Sequence, residues 1–158
     1  MPDTPLLLVA VNVSAAVSRE IPVDLLSGLL DSAYRSKRKK PACMDLLVAG
    51  DVEMSRLNRR HLGKDNATDV LAFDDGEMED GRLRLGDVAV SADTAGRVAA
   101  ERDIPFEHEL AFYVLHGLFH LLGMRDDDDG DRAAMHRAQA RAMREYGLKL
   151  YSAMERPG

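Results

Sequence analysis

The sequence predicts one α/β (α+β) domain in which about five helices cover a small mixed sheet of four strands. Three observations predict this class. Short apolar runs of strand length alternate with longer stretches whose apolar residues recur at helical spacing. The length of 158 residues suits one ordinary domain, and no repeat or linker divides it. With 46% hydrophobic and 30% charged residues, the chain can bury one core and solvate its surface, so we predict a single domain over residues 1–158.

The first part of the chain predicts two strands and two helices. The apolar runs at 6–13 and 44–50 have the length and composition of buried strands. Between them, apolar residues at helical spacing form a stripe that ends before Pro41. A second helix follows, with Asp51 as its predicted N-cap and Gly63 after its last turn.

The second part of the chain predicts two more strands and three more helices. Residues 68–73 and 83–91 have strand character and flank an acidic loop that contains glycine. The helices are predicted from their caps and apolar spacing. They are a helix capped by Ser91 or Asp93, a long apolar helix over 105–122 with Pro105 in its first turn, and a helix over 128–146 that ends at Gly147.

Charge and cysteine content limit the function classes. The net charge of -6 argues against a protein that coats nucleic acid without specificity. Cys43 is the single cysteine, which excludes an internal disulfide and a multi-cysteine zinc site and fits a reducing compartment. The apolar run near the N-terminus is short and has no basic residue ahead of it, so it is a poor signal peptide. No stretch approaches the roughly 18 apolar residues of a membrane span. We therefore predict a soluble, cytoplasmic protein that has no membrane partner.

A basic segment, residues 35–40, precedes Pro41. One interpretation is a solvated helix end, where cations complement the helix dipole. The other is contact with the RNA backbone, because phosphate binding needs local positive charge. The candidate RNA-binding residues are Arg35, Lys37, Arg38, Lys39 and Lys40.

The stretch HGLFHLLGMRD, residues 116–126, predicts a metal site. In a helix, His116 and His120 lie about 40° apart on one face and one turn along the axis, so both imidazoles can reach one ion. Gly123 can adopt a left-handed backbone that turns the chain back and brings Asp126 to a third position. Two histidines on an apolar helix can also be hydrogen-bonded core residues, but the glycine and the acid at these offsets favour a metal site.

Other candidate ligands fit less well. The spacing follows the metzincin pattern H-x-x-x-H-x-x-G-x-x-ligand, except that Gly117 stands where those proteases carry their glutamate base. His108 would lie about 12 Å from His116 along a continuous helix. His136 is a reserve ligand, and His61 is predicted at the surface. The acidic run at 126–131 lacks the glycine and glutamate positions of an EF-hand loop, and its aspartates are predicted to cap the last helix.

Four segments, in this order along the chain, resemble the YbeY family of metal-dependent endoribonucleases. The similarity runs from about residue 44 to 146. The resemblance implies one α/β domain, a zinc ion held by the helical histidine pair and a third residue, and hydrolysis of single-stranded RNA. It also implies small-subunit ribosomal RNA as the substrate and work on or near the ribosome. The segments are LNRRHLGKDNATDVLAF (57–73), LGDVAVS (85–91), EHELAFYVL (107–115) and HGLFHLLGMRD (116–126).

The chain departs from the family pattern at the presumed site. Asp126 occupies the place of a third histidine, and Leu62 occupies the place of a usual arginine. Ala67 and Ala72 replace a usual proline and serine. Two histidines and a carboxylate still suit zinc, and they can also hold iron(II) or manganese(II). Arg59, one turn before Leu62 on the same helix, is the predicted substitute for the missing arginine.

The sequence therefore predicts a zinc-dependent endoribonuclease of single-stranded RNA, acting in ribosomal RNA maturation and ribosome quality control. The predicted metal ligands are His116, His120 and Asp126, with Fe²⁺ or Mn²⁺ as alternative ions, and the predicted catalytic residues are His116 and Arg59. RNA and the ribosome are the predicted partners. Two alternatives stay open: a metal-binding protein of RNA or the ribosome with weak or no catalysis, and a metalloprotease-like hydrolase.

Overall fold

The computed structural model describes residues 4–64 and 68–150 and confirms the predicted fold class: five helices and a mixed sheet. The predicted elements are all present, and the acidic loop contributes one further, two-residue strand. Within the described residues, no helix has the length and apolar character that would let it cross a membrane. The elements are β1 (Leu7–Val13), α1 (Val23–Arg35), β2 (Ala42–Ala49), α2 (Asp51–Leu62), β3 (Val70–Asp74), β4 (Met78–Glu79), β5 (Arg82–Ser91), α3 (Ala92–Arg102), α4 (Phe106–Leu121) and α5 (Asp129–Glu145).

The sheet has the order β1-β2-β5-β3, with β4 paired to the start of β5. β1, β2 and β5 run parallel, whereas β3 pairs with β5 in the antiparallel direction. The central strands β2 and β5 are rich in buried apolar residues, because a strand on each side and a layer of helices exclude water from them, whereas β1 is an edge strand and is mostly exposed or half-buried. β3 lies at the edge of this order, and it later forms one wall of the candidate site.

The main core lies between one face of the sheet and four helices, with α4 at its centre. Its helices are α1, α3, α4 and α5. α4 is apolar on nearly all sides, which is typical of a helix that is enclosed by neighbours. Leu110, Val114 and Leu118 are fully buried. Leu121 is only partly buried at the last turn of the helix.

α2 packs on the other face of the sheet through Met54, and its start corrects one prediction. Asp51 is not the N-cap of α2, because Gly50 holds that position. The Asp51 carboxylate instead accepts hydrogen bonds from Ser91 Oγ at 2.7 Å and Thr94 Oγ1 at 2.8 Å, while Asp93 accepts one from the Asp51 N–H at 2.9 Å. Ser91 caps α3 by accepting from the Thr94 N–H at 3.0 Å, as predicted. The starts of α2 and α3 therefore hold each other in place.

Candidate metal centre

The C-terminal half of α4 directs two imidazoles into one space. His116 and His120 lie on the same helix face, both partly buried, with their Nε2 atoms 2.9 Å apart. Gly117, between them in sequence, faces β5: a Cβ at this position would lie 2.4 Å from Val88 Cγ1. The missing side chain lets α4 approach the sheet closely, while the histidine face turns toward the edge strand.

A tight turn after α4 returns the chain to the histidines. Gly123 has a φ of 97°, in the left-handed region that favours glycine. The Met124 N–H donates to the Phe119 carbonyl at 2.9 Å, which closes the end of the helix. Two residues later, Asp126 faces the imidazoles, and Arg132 of α5 donates to its backbone carbonyl at 3.3 Å. The turn and α5 together position the third candidate ligand.

The three ligand atoms have the separations that a small cation requires. Asp126 Oδ2 lies 3.3 Å from His116 Nε2 and 3.4 Å from His120 Nε2. Tetrahedral zinc with bonds of about 2.0–2.2 Å places its ligand atoms about 3.3–3.6 Å apart. Two of the three separations agree with this value, and the third, between the imidazoles, is shorter. Among the described residues, these three form the cluster of histidine, cysteine or acidic side chains that could hold a metal ion, and their chemistry fits a zinc-type centre.

The electrostatic environment favours neutral imidazole at His116. Burial and the neighbouring His120 lower the pKa of His116, although the carboxylates of Asp126 and Asp69 act in the opposite direction. A metal ligand must be the unprotonated imidazole. The lowered pKa therefore keeps His116 in its ligand form at neutral pH.

The centre opens into a polar cleft of about 400 Å³ along the edge strand β3. Two carboxylates in this cleft, Asp69 and Asp74, were not among the predicted site residues. Asp69 and Asp74 stand on either side of residues 70–73, which the sequence predicted only as part of a strand. A carboxylate at each end of this apolar segment was the signal that could have identified them. The described lining residues are Leu62, Thr68, Asp69, Val70, Leu71, Ala72, Asp74, His116, His120 and Asp126.

Arg59, the predicted catalytic arginine, is not among the residues that line the cleft. Leu62 contributes to the cleft wall and is 53% exposed. Arg59 is exposed one turn before Leu62 on α2, and the substitute role predicted for it stays a prediction. Of the two further departures from the family pattern, Ala72 lines the cleft, whereas Ala67 lies outside the described residues.

The basic segment lies against the end of α4. Arg38 donates to the Leu122 carbonyl at 3.2 Å, and Lys37 Nζ lies 5.3 Å from the centroid of the Phe119 ring. Arg35 is paired with Asp31 within α1. Lys39 and Lys40 are exposed. The segment is therefore close in space to the turn that carries the third ligand, although it is some 80 residues away in sequence.

The remaining histidines lie outside the cluster. His136, the reserve ligand, packs its ring against Phe112 with centroids 5.9 Å apart. His61 is exposed, as predicted, and its ring lies 4.6 Å from that of Phe73. His108 is on the first turn of α4, partly buried and away from the ligand set.

The neighbouring aspartates are used by α5. Asp128 is its N-cap and accepts from the Asp131 N–H at 2.7 Å, as the sequence predicts for this acidic run. Asp127 forms an ion pair with Arg125. Asp129 forms one with Arg132. Asp126 is thus the aspartate of this run that faces the histidines.

The fold and the site together define a small α/β protein with a two-histidine, one-carboxylate centre at the edge of a mixed sheet. Comparison with known proteins then identifies the family. The family model described as Endoribonuclease YbeY matches residues 14–147. The chain belongs to the YbeY endoribonuclease family, which confirms the resemblance drawn from its motifs.

Individual relatives agree with this assignment. An Endoribonuclease YbeY from Syntrophotalea carbinolica is 39% identical over 127 residues, which cover 78% of this chain and 84% of the relative. One from Geobacter sulfurreducens is 37% identical over 118 residues, covering 73% and 75%. The solution structure of TM1509 from Thermotoga maritima shares the fold, with a TM-score of 0.61 and 23% identity over 88% of this chain and 89% of that chain.

Proposed function

We propose that this protein is a metal-dependent endoribonuclease that cleaves single-stranded RNA during ribosomal RNA maturation and ribosome quality control. One observation carries the proposal: three ligand atoms converge within 4.8 Å at a polar cleft, in a chain whose family is named for endoribonuclease activity. Small-subunit ribosomal RNA is the proposed substrate, the ribosome the proposed partner and the cytoplasm the proposed location.

The proposed cofactor is Zn²⁺, held by His116 Nε2, His120 Nε2 and Asp126 Oδ2, with Fe²⁺ or Mn²⁺ as alternatives. Three protein ligands leave a position open, as in catalytic rather than structural zinc sites. A cation bound there supplies a Lewis acid for phosphoryl chemistry. Because Asp126 brings a negative charge where the family has histidine, the centre is less positive by one unit and should tolerate harder ions better.

The side chains around the centre suggest how the chain assists cleavage. Asp69 is exposed in the cleft, so its carboxylate can accept a proton from the water molecule that attacks the phosphate. The guanidinium of Arg59, one turn before the cleft residue Leu62 on α2, would stabilise negative charge that develops on the scissile phosphate. The basic segment would bind the RNA backbone beyond the cleft, since Arg38 ties it to the end of α4.

The test combines metal analysis with RNA cleavage by the purified protein. We expect about one metal ion per chain, cleavage of a labelled single-stranded RNA and little cleavage of a duplex of the same sequence. Chelation should abolish cleavage, and readdition of metal should restore it. The control is a folded His116→Ala, His120→Ala double variant, which excludes a contaminating nuclease. Cleavage by this control equal to that of the native chain would contradict the proposal.

A non-catalytic RNA-binding or ribosome-association protein is the second candidate. It is favoured by Leu62, an apolar side chain on the cleft wall where the family usually has arginine. Such a protein would bind single-stranded RNA and leave it intact with Zn²⁺, Fe²⁺ or Mn²⁺.

The metalloprotease-like alternative requires a glutamate base at the position of Gly117, and the packing there leaves no room for a side chain. Even a Cβ at Gly117 would meet Val88 at 2.4 Å, so the backbone position that carries glutamate in metzincins faces the packed sheet. Parallel assays with RNA and casein distinguish the two hydrolases, and we expect cleavage of RNA alone.

A further inference from the structure

A second polar cavity adjoins the metal cleft. Its volume is about 370 Å³, and it lies between α3, α4 and the residues that lead into β3. Thr68 and Asp69 line both this cavity and the metal cleft, so the two spaces meet at these residues. Four of its lining residues, Thr68, Asp69, Glu109 and Tyr113, lie in the segments that resemble the family, but the sequence predicted no role for them.

One face of α4 runs continuously from this cavity to the metal centre. Glu109 and Tyr113 line the cavity, and both are buried, so they form its floor. With His116 and His120 they follow a spacing of four, three and four residues, which keeps all of them on one helix face. Tyr113 precedes His116 by about 4.5 Å along the helix axis. A linear polymeric substrate whose reacting bond lies at the metal centre would therefore place its neighbouring monomer over this floor.

Two arginines of α3 line the cavity, and they differ in their contacts with other side chains. Arg97 is already engaged, with Nη1 3.0 Å from Asp51 Oδ2 and Nη2 donating to Thr94 Oγ1 at 3.2 Å. Arg102 is exposed, and no ion pair within residues 4–64 and 68–150 involves its guanidinium. Arg102 therefore offers its fork of donors to a ligand, a geometry that matches a phosphate group.

The balance of charge indicates more than a bare anion as the ligand. The lining carries the guanidinium groups of Arg97 and Arg102 together with the carboxyl groups of Asp69 and Glu109. Inorganic phosphate would be repelled by these carboxylates, whereas a nucleotide has an anionic phosphate together with a base whose edges present donors and acceptors. Such a ligand suits a cavity whose buried floor carries the oxygen atoms of Glu109 and Tyr113 and whose rim carries the guanidinium of Arg102.

We propose that this cavity binds one nucleotide of the RNA strand next to the cleavage site, with its phosphate on Arg102 and its base facing Glu109 and Tyr113. This inference rests on the proposed ribonuclease function and deepens it. Arg102 is then a substrate-binding residue that positions the strand relative to His116.

The first test separates binding from chemistry. Arg102→Ala should raise the KM for a single-stranded RNA about tenfold with little change in kcat, because one charge-assisted contact to phosphate is lost. Arg102→Lys should recover part of the loss. The matched control is Arg144→Ala, which removes an exposed arginine of α5 that lines neither cavity, and its KM should stay unchanged. An unchanged KM in Arg102→Ala, or an equal increase in the control, would overturn the assignment.

The second test locates the phosphate. Oligoribonucleotides that carry a single uncharged methylphosphonate at successive positions are titrated against the native chain and against Arg102→Ala, with fluorescence anisotropy as the readout. At one position beside the cut, the methylphosphonate should weaken binding to the native chain about tenfold and have no further effect on the variant. Absence of any such position would refute the nucleotide subsite. Because the readout is affinity, the subsite is judged independently of cleavage, and loss of cleavage by the native chain would count against the proposed function alone.

Discussion

At the residue scale, Asp126 is the candidate ligand that distinguishes this chain from its family pattern. Its neighbours Asp127 and Asp128 are committed to an ion pair and to a helix cap, whereas its own carboxylate lies 3.3 Å and 3.4 Å from the two imidazoles. The left-handed turn at Gly123 thus brings the carboxylate of Asp126 within reach of both imidazoles.

Asp126→Ala should lose most of the bound metal while the fold survives, because two histidines alone hold zinc weakly. Asp126→His should keep the metal and increase cleavage at neutral pH, since the centre regains one unit of positive charge. Metal content by mass spectrometry and RNA turnover measure the two effects, with Asp127→Ala as the control that retains metal. Full metal content in Asp126→Ala would assign the third ligand elsewhere, and His136 would be tested next.

The wall of the cleft provides a second prediction. Leu62→Arg should increase RNA turnover by placing a guanidinium in the cleft, where the family usually has one. Arg59→Ala should decrease turnover by about 100-fold if Arg59 supplies that charge now, and the Leu62→Arg change should rescue it. Metal content should stay constant in all three variants. Equal turnover in Arg59→Ala and the native chain would show that charge stabilisation comes from another group.

At the element scale, the packing of α4 on β5 depends on the absence of a side chain at residue 117. Gly117→Ala should lower the free energy of unfolding by about 1–3 kcal/mol, because its methyl group meets Val88 at 2.4 Å. The matched control is Gly130→Ala in the first turn of α5, where the added Cβ would lie at an ordinary 3.5 Å from Asp128 Oδ1. Urea unfolding measures both, and we expect no loss of stability in the control. Similar stabilities of the two variants would contradict the close approach.

Asp51 couples α2 to α3, and this coupling should depend on pH. Burial alone would raise the pKa of Asp51, but hydrogen bonds from Ser91, Thr94 and Arg97 outweigh it, so the pKa lies below its ordinary value. A lowered pKa in the folded state means that the ionised carboxylate contributes stability above about pH 4, and that this contribution is lost as pH falls through the folded-state pKa.

Asp51→Asn should therefore be less stable than the native chain at pH 7, by about 1 kcal/mol, and the difference should shrink toward pH 3. Chemical unfolding at several pH values gives the comparison. Asp93→Asn is the matched control, because it changes the neighbouring carboxylate that accepts from the Asp51 N–H at 2.9 Å and leaves Asp51 in place. A difference that stays constant down to pH 3 would exclude the ionised Asp51 as its cause.

At the scale of the whole molecule, a net charge of -6 coexists with a basic segment beside the metal centre. Because an acidic surface repels RNA in general, the proposed binding of RNA would depend on this local patch. Because each neutralised phosphate releases counterions, affinity for RNA should fall steeply as salt increases.

Replacing Lys39 and Lys40 with alanine should weaken RNA binding and reduce the slope of log affinity against log salt by about two. Metal content and the cleavage rate at saturating RNA should not change, since neither lysine lines the cleft. Fluorescence anisotropy at several salt concentrations provides the slope, and Arg144→Ala is the control for loss of an unrelated exposed charge. A slope unaffected by the double change would place the RNA backbone on another surface.

The sequence by itself determined the local features. Apolar periodicity and caps predicted the strands and helices, because these patterns report on which side of each segment is buried. The spacing of His116, His120, Gly123 and Asp126 predicted the centre, because four residues of helix and one glycine turn define that geometry without help from distant parts of the chain.

Only the tertiary structure decided which distant segments meet. Asp69 and Asp74 enter the cleft because β3 pairs with β5 at the edge of the sheet beside α4. The carboxylate of Asp51 connects α2 to α3 instead of capping a helix, since the hydroxyl groups of Ser91 and Thr94 both donate to it. The cavity beside Arg102 and the contact of the basic segment with α4 likewise depend on packing between elements far apart in sequence. Local patterns are insensitive to such pairings, whose energies arise only when the sheet and its helices are assembled.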